Sequence, residues 1–333
     1  MNKSDESIAG LVARRNAEKC LFTAGPASLL TENLTGLRPC FGRGDADYAS
    51  LETTVLDALK ALSGHREIAR LQGSASLALE LATLNFLAGR VLIVSSGYYS
   101  DRLQAMAEAA QRQTGRITHI GSIAWSQLPE LNEGFDWLVA CYTETSVGLR
   151  LPMAQLLAAK QRAGARMLLD ATASIGLETG HEHADVIAYS SCKGLFGLTG
   201  AAFIAFNEHP GYAPDSFYLN LDNHLERRMT GPYHAIASLA DVLPRHADFR
   251  SAVMQNKAAF MARMRPYLTR QEDQQPALCT QISATITSTD PRAILYAPRG
   301  NQGGSVVCHL GEAHLGAAAR GDILNLLELD PTP

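Results

Sequence analysis

The sequence predicts an α/β fold: a mostly parallel central sheet sandwiched by helices, with a smaller α+β domain at the C-terminus. First, short apolar runs alternate with helical patterns of about ten residues. Second, several of these runs end in small or charged polar residues, as strands do at a ligand-binding edge. Third, the pattern changes beyond residue 235 to one long helical stretch and then strands. We therefore expect an N-terminal arm over 1–20, a large domain over 21–235 and a small domain over 236–333.

The elements of the large domain follow from the spacing of apolar residues. An apolar start at Leu21 is turned by Gly25-Pro26. Apolar residues at helical spacing over 48–63 predict a helix that Gly64 ends. Apolar runs too short for a helix predict strands. The predicted strands span 68–71, 91–94, 117–120, 137–142, 166–169, 185–190 and 201–206, and the further helices span 77–87, 101–113 and 154–163.

The small domain has a different pattern. One long helix is predicted over 233–269, and the polar segment 271–276 separates it from strand-rich sequence. The predicted strands span 278–288, 293–297 and 305–310, and a final helix spans 315–329.

The composition is that of an ordinary soluble protein. Hydrophobic residues make up 46% and charged residues 19% of the 333 residues, with a formal net charge of -4. Because lysine and arginine form no dense run, no nucleic-acid partner is expected. The N-terminus lacks signal-peptide order, and no apolar run reaches the roughly 18 residues of a membrane span. Six scattered cysteines predict free thiols in a reducing cytoplasm, with no metal site.

Lys193 stands where a predicted buried strand ends. The apolar run from Val186 to Tyr189 leads into small polar residues, and glycines follow the lysine. A charged amine at the end of a core strand must be paired, neutralised or used covalently. An amine of this kind can form a Schiff base with an aldehyde. The stretch is also typical of a structural lysine at a strand end.

Other strand ends carry polar residues that would meet Lys193 at the carboxyl edge of the sheet. Asp170 ends an apolar run, and a pyridinium nitrogen is one cationic partner that would keep its carboxylate ionised. The segment Gly73-Ser-Ala-Ser76 precedes a helix, whose first amide groups can hold a phosphate. Tyr98 and Tyr99 could stack on a flat ligand. Each has a simpler interpretation: a helix cap for the serines, a cap for Asp170, and half-buried surface aromatics for the tyrosines.

Seven motifs, taken in order and spacing, resemble the class V (fold type I) pyridoxal-phosphate-dependent aminotransferases. Within that family the sequence is most similar to the 2-aminoethylphosphonate:pyruvate and alanine:glyoxylate aminotransferases. The resemblance runs from about Leu21 to about Leu239 and continues more faintly to the C-terminus. The motifs are Leu21-Phe-Thr-Ala-Gly-Pro26, Leu71-Gln-Gly-Ser-Ala-Ser76, Val91-Leu-Ile-Val-Ser-Ser-Gly-Tyr-Tyr99, Thr143-Glu-Thr-Ser-Val-Gly148, Asp170-Ala-Thr-Ala-Ser-Ile-Gly176, Ser190-Ser-Cys-Lys-Gly194 and Met229-Thr-Gly-Pro-Tyr-His234.

This resemblance implies a fold type I architecture, pyridoxal 5'-phosphate as cofactor, and roles at the matching positions. Lys193 would form the internal aldimine and then act as general base and acid in the 1,3-proton shift. Asp170 would pair with the pyridinium nitrogen and Tyr99 would stack on the ring, with Thr172 against the opposite face. The remaining predicted cofactor contacts are Ser74, Ala75 and Ser76 at the phosphate and Thr145 at the phenolic or phosphate edge.

The resemblance also implies an obligate homodimer, in which Thr230 crosses to the phosphate of the partner subunit. Gly25 would border the substrate. Two departures from the family pattern concern anion binding. Cys192, a weak donor, stands where the family often has an amide side chain. His309 takes the position of an arginine that clamps the substrate carboxylate, and a histidine cannot make that two-pronged contact.

His309 is therefore either a substrate residue or an ordinary strand histidine. Arg43, between glycines, and Arg228, two residues before Thr230, are the other candidates for an anion clamp, although both are equally typical of solvated surface arginines. The C-terminal half is shorter than the family leads us to expect. The domain that closes over the substrate is thus predicted to be trimmed or reshaped.

Three functions remain open at this point. The first is an aminotransferase that moves an amino group from a small anionic amine, such as 2-aminoethylphosphonate, to a 2-oxo acid such as pyruvate, by way of pyridoxamine phosphate. The second is a lyase or other carbanion chemistry with the same cofactor, on a phosphonate or an amino acid. The third is a non-catalytic dimeric binding or scaffold subunit with this fold, against which the pair Lys193 and Asp170 argues.

Overall fold

The computed structural model describes residues 6–37, 42, 44–300, 303–311, 313 and 323–330. Its helices are α1 (Ile8–Asn16), α2 (Thr31–Thr35), α3 (Ala46–Ser63), α4 (Ala75–Phe86), α5 (Tyr98–Thr114), α6 (Met153–Ala163), α7 (Leu221–Leu225), α8 (Tyr233–Ala240) and α9 (His246–Arg263). Its strands are β1 (Cys20–Phe22), β2 (Glu67–Gln72), β3 (Gly89–Ser95), β4 (Ile117–Ala124), β5 (Trp137–Cys141), β6 (Thr143–Glu144), β7 (Leu149–Arg150), β8 (Arg166–Asp170), β9 (Val186–Ser190), β10 (Ala201–Phe206), β11 (Cys279–Ile282), β12 (Ile286–Thr287), β13 (Ala293–Leu295), β14 (Ser305–Cys308) and β15 (Glu328–Leu329).

Seven of the strands form the central sheet, in the order β2-β10-β9-β8-β5-β3-β4. The neighbours from β9 through β4 pair in parallel, whereas β10 is antiparallel to both β9 and β2. Because two antiparallel pairings cancel, β2 runs in the same direction as β9. The carboxyl ends of six strands therefore lie at one edge of the sheet, and the predicted mostly parallel sheet is confirmed.

Helices cover both faces of this sheet, which explains why its strands are nearly continuous apolar runs. Successive strand residues point to opposite faces. Thus Leu169 packs in the core cluster that contains Leu59 of α3, while Leu168 packs in the cluster that contains Leu103 of α5. Helices α6 and α8 lie with α3, and helices α4 and α7 lie with α5. The helix–sheet–helix arrangement predicted from the sequence follows from this two-sided burial.

The single long helix predicted over 233–269 is wrong. The chain forms α8 and α9, joined by a 3₁₀ turn at Leu243–Arg245 that contains Pro244. Proline has no amide hydrogen to donate and clashes with the preceding turn, so a continuous helix cannot run through it. The second helix ends at Arg263, and a further 3₁₀ turn with a proline occupies Arg265–Tyr267.

The C-terminal part forms small two-stranded sheets, β11 with β14 and β12 with β15. The helix predicted over 315–329 falls mostly on residues 314–322, outside the described residues. Its last two residues are not helical: Leu329 pairs with Ile286 in an antiparallel ladder, which gives the short strand β12 its partner. Strand β1, near the start of the chain, pairs in parallel with β13 of this C-terminal part. The domain boundary at residue 235 stays a prediction.

Three features of the described residues concern membranes, thiols and metals. No helix among them is long and apolar enough to cross a membrane. The cysteines at 20, 141, 192, 279 and 308 are free thiols. Within the same ranges, no group of three or more histidine, cysteine, aspartate or glutamate side chains could hold a metal ion.

Candidate active site

A cavity of about 220 Å³ opens at the carboxyl ends of β2, β5, β8 and β9. A water molecule occupies only about 30 Å³ of liquid, so the cavity has room for a much larger ligand. Its lining residues follow the ends of separate strands, which is where open α/β sheets bind ligands. They are Ser74, Ala75, Ser76, Leu79, Tyr99, Arg102, Cys141, Thr143, Thr145, Asp170, Thr172, Ala173, Ser190, Cys192 and Lys193.

Lys193 lies on this cavity, three residues after the end of β9. Its aliphatic stem packs on the backbone of Gly25: a Cβ added there would lie 2.9 Å from Cγ of Lys193, and Gly25 has a φ of +127°. The amide of Ala27 donates to the carbonyl of Cys192 at 2.9 Å and holds the two segments together. In the described part of the chain, no carboxylate lies within ion-pair distance of the Lys193 amine. This placement does not match a structural lysine held by an ion pair.

Asp170 lies on the same cavity, at the last position of β8, and is only 5% exposed. Its Oδ1 accepts a hydrogen bond from the amide of Thr172 at 2.9 Å, which fixes the orientation of the carboxylate. Among the described residues it has no lysine or arginine within ion-pair distance. A buried carboxylate without a cationic partner is costly, so a cationic or protonated ligand atom would stabilise it.

Residues Ser74, Ala75 and Ser76 form the start of α4 at the cavity wall. Ser74 occupies the N-cap position in an extended conformation, but its side chain makes no capping hydrogen bond. A plain capping serine would bond to an amide of the first turn. The first amide groups of a helix have no partner within the helix and attract anions. The segment can therefore present hydroxyl and amide donors to an anionic group.

Tyr99 lines the cavity from the first turn of α5, and a buried carboxylate below the helix holds it there. Glu144 accepts hydrogen bonds from the amides of Tyr99 at 3.0 Å and Ser100 at 3.1 Å. Burial raises the pKa of Glu144, and these hydrogen bonds oppose the rise. A Cβ on Gly97, whose φ is +153°, would lie 2.8 Å from Cγ of Glu144. Glu144 is thus a positioning residue, not a cavity-lining one.

Two threonine hydroxyls on the cavity wall lack a hydrogen-bond partner among the described residues. They are Oγ1 of Thr143 and Oγ1 of Thr172, which are both buried, and both residues line the cavity. An unpaired buried hydroxyl costs about 1–3 kcal/mol, which a polar ligand would recover. Together with the amine of Lys193, the carboxylate of Asp170 and the ring of Tyr99, they form a donor set that fits pyridoxal phosphate.

Thr230 and Arg228 lie away from the cavity, on the exposed loop between α7 and α8. Arg228 forms an ion pair with Glu226, and its side chain is 54% exposed. This placement agrees with the surface alternative for Arg228. Arg43 lies outside the described residues.

His309 is not among the described residues that line the Lys193 cavity, and it lines a smaller cavity with Phe22, Asn256 and Ile323. It is 3% exposed, and its Nε2 is 2.9 Å from Oγ1 of Thr280. This placement does not support the predicted contact between His309 and the substrate. The ring of His309 lies beside that of Phe260, with 5.4 Å between the ring centres, and the preceding Cys308 lines the same small cavity. The alternative of an ordinary strand histidine fits.

The free energy of unfolding is expected to fall as the pH drops below about 6.5, because buried histidines stay neutral. Burial lowers the pKa of His309 to about 3 and that of His181 to about 4. The unfolded chain therefore binds a proton at each histidine more readily than the folded chain does. Each of the two histidines lowers the free energy of unfolding by up to about 1.4 kcal/mol for every pH unit below its pKa in the unfolded chain. His309→Gln should flatten this fall in denaturant titrations between about pH 7 and pH 5. The exposed His183, replaced in the same way, is the control. An unchanged slope in His309→Gln would contradict the neutral buried state.

The residues at the site that the sequence prediction missed include Arg102, Thr143 and Tyr296. Arg102 lies one helical turn after Tyr99, and this i, i+3 spacing was the available signal. Thr143 stands two residues before the predicted Thr145. Tyr296, from the C-terminal part, lies close to Tyr99 and Thr145, and its pKa is raised chiefly by burial. No sequence pattern indicates Tyr296, because only the folded chain brings it to this edge.

Comparison with known proteins agrees with this architecture. No protein-family model matches the chain. It is 26% identical over 252 residues to a 2-aminoethylphosphonate–pyruvate transaminase of Pseudomonas aeruginosa, covering 68% of each chain. It is 28% identical over 253 residues to the transaminase of the same name from Pseudomonas entomophila, covering 67% of each.

Solved structures show the fold. An aspartate aminotransferase of subgroup IV from Thermus thermophilus matches with a TM-score of 0.75 and 19% identity, covering 92% of this chain and 97% of that one. An alanine–glyoxylate aminotransferase from Nostoc sp. matches with a TM-score of 0.73 and 17% identity, covering 92% and 95%. The chain has the fold type I architecture of these aminotransferases, as the sequence predicted.

Proposed function

We propose that this chain, which has the fold of the class V aminotransferases and is similar in sequence to 2-aminoethylphosphonate–pyruvate transaminases, is a pyridoxal-phosphate-dependent aminotransferase. The observation that carries the proposal is the convergence of Lys193 and Asp170 on one cavity. Neither has an ion-pair partner among the described residues, and a substituted pyridine aldehyde is a ligand that would engage both.

Each group on the cavity has a task in this proposal. Bound there, pyridoxal phosphate would supply an aldehyde that condenses with amines and a ring that withdraws electrons from the adjacent carbon. The Nζ atom of Lys193 would hold the aldehyde carbon and, once released, take up and return the proton. Asp170, oriented by the Thr172 amide, would accept a hydrogen bond from the ring nitrogen.

The other lining residues position the cofactor. Tyr99 would lie along one face of the ring and Thr172 along the other. The hydroxyls and amides of Ser74, Ala75 and Ser76 would bind the phosphate, and Thr145 would reach the phenolic or phosphate edge. Gly25 leaves the room that Lys193 needs against the backbone. These assignments come from the resemblance in sequence, and the placement of the side chains around one cavity supports them.

We propose that the amino donor is a small anionic amine of the 2-aminoethylphosphonate kind and that the acceptor is a 2-oxo acid such as pyruvate. The named relatives support this choice. One observation favours lyase chemistry on a phosphonate or amino acid as a second candidate. Among the described residues, no arginine of the C-terminal part lines the cavity, so none of those residues supplies a carboxylate clamp.

A donor screen separates the candidates. The chain, loaded with cofactor, is given 2-aminoethylphosphonate, alanine or serine without acceptor, and the aldehyde absorbance is followed. An aminotransferase loses that absorbance and then forms alanine from added pyruvate. A lyase keeps the absorbance and releases ammonia. Ethylamine, which lacks the anionic group, is the matched control donor and should react far more slowly. No change with any donor would contradict the proposal and favour a non-catalytic role.

We also propose that the protein acts as a homodimer, with Thr230 reaching the phosphate site of the partner subunit. Its support is the resemblance in sequence and the exposed position of Thr230. The molar mass in solution tests the dimer, since the single chain has a mass of 35.8 kDa. We also propose a cytoplasmic location, which the free cysteines support.

A further inference from the structure

Arg102 is a cavity-lining cation that the mechanism above does not use. It lies in the second turn of α5, and its guanidinium is held from two sides. Nη2 donates to Oγ of Ser76, and the guanidinium carbon lies 5.5 Å from the centre of the Tyr99 ring. The first contact places the charge at the start of α4, beside the hydroxyl and amide donors of the proposed phosphate site.

The charges around the cavity favour the binding of an anion beside Arg102, at the start of α4. The charged side chains among its described lining residues are Arg102, Lys193 and Asp170, two cations and one anion. Arg102 has no carboxylate within ion-pair distance in the described ranges of the chain. A second, independent sign of a missing polar ligand is Thr143, which is 2% exposed, lines the same cavity and has a hydroxyl without a partner in the described part of the chain.

The neighbouring cysteine cannot supply the positive charge that would bind a phosphate. Cys192 lines the cavity, but its thiol is 3.7 Å from the hydroxyl of Ser190 and is a weak donor. Helix amides alone attract an anion only modestly. A guanidinium offers several donors in a planar fork that matches phosphate oxygens.

We propose that Arg102 is the cationic ligand of the cofactor phosphate, with Ser76 holding its guanidinium in place. This inference rests on the proposed function, since it assigns a residue to the cofactor of that same site. It predicts that Arg102 discriminates pyridoxal phosphate from pyridoxal, which has the same ring and aldehyde but no phosphate.

The test is an equilibrium titration of the full-length chain with each ligand, followed by absorbance of the bound aldehyde. Arg102→Gln should weaken the binding of pyridoxal phosphate by about 10- to 100-fold, the usual range for a charge-assisted hydrogen bond. It should leave the binding of pyridoxal within about twofold. Arg102→Lys, which keeps the charge without the fork, should fall between Arg102→Gln and the unmodified chain.

Arg116→Gln is the matched control. Arg116 is also a half-buried arginine over an aromatic ring, 4.3 Å from the centre of Tyr212, and it donates to the carbonyl of Asn85 at 3.2 Å. It is not among the described residues of the cavity wall. Its replacement should change neither affinity.

The other outcomes overturn the inference in distinct ways. Equal weakening of both ligands would show that Arg102 only supports the site through Tyr99. Unchanged affinity with a raised KM for an anionic donor would assign Arg102 to the substrate instead. If the unmodified chain binds neither ligand, the proposed function itself fails, and this inference fails with it.

Discussion

Replacing Lys193 by alanine is expected to abolish covalent attachment of the cofactor and nearly all turnover. The variant loses both the amine that holds the aldehyde carbon and the group that moves the proton. Proton transfer alone contributes about 10²- to 10⁴-fold to a rate, so kcat should fall by at least that factor. Reduction with borohydride followed by peptide mass spectrometry should find the cofactor on the peptide containing Lys193 in the unmodified chain, and no modified peptide in Lys193→Ala.

Lys257 provides the matched control for this result. It is 7% exposed, its amine donates to the carbonyl of Gln275 at 2.8 Å, and burial lowers its pKa. It is therefore a second lysine whose amine could react with an aldehyde. Lys257→Met should leave labelling at Lys193 intact. Labelling of Lys257 in place of Lys193 would refute the assignment of the attachment site.

Replacing Asp170 by asparagine is expected to slow turnover strongly while leaving the cofactor attached. An amide of the same shape can still accept the hydrogen bond from the Thr172 amide, so the fold should persist. It cannot stabilise a positive charge on the ring nitrogen as a carboxylate does. Hydrogen bonds to charged groups contribute about 1.5–3 kcal/mol, so kcat should fall by about 10- to 100-fold. The kinetics of the donor half-reaction measure this directly.

Asp185 serves as the comparison, because it lies at the opposite edge of the sheet. It precedes β9, pairs with Lys160 at 2.7 Å and accepts from the amide of Met167 at 2.7 Å. Asp185→Asn should alter stability slightly and leave kcat within about twofold. Equal losses of turnover in Asp170→Asn and Asp185→Asn would mean that the first effect is structural and not chemical.

The sequence predicted the chemistry of the site better than it predicted the bounds of the helices and strands. Lys193 and Asp170 were identifiable because each ends an apolar run, and parallel strands bring such ends to one edge. The spacing of apolar residues also distinguished the main helices from the strands of the central sheet. The helix break at Pro244 follows from the proline itself, although the apolar spacing on both sides of it predicts one continuous helix.

The other contacts that the sequence did not predict depend on packing between residues far apart in the chain. His309 lies just past the end of β14, where its ring lies beside Phe260 of α9 and its Nε2 is 2.9 Å from Oγ1 of Thr280 in β11, and the local sequence does not reveal these partners. Arg102 reaches Ser76 only because α5 packs beside α4. Tyr296 approaches Tyr99 from the far end of the chain. Local patterns carry no information on such contacts.

The pairing of β1 with β13 limits how the protein can be dissected. A fragment ending at residue 235 would leave the backbone of Cys20–Phe22 without its hydrogen-bonded neighbour and Ser28 without its acceptor, the carbonyl of Gly311. Between these two anchors lies Gly25, against which Lys193 rests. Neither half expressed alone would hold the reactive amine in place, whereas co-expression of the two halves could rebuild it.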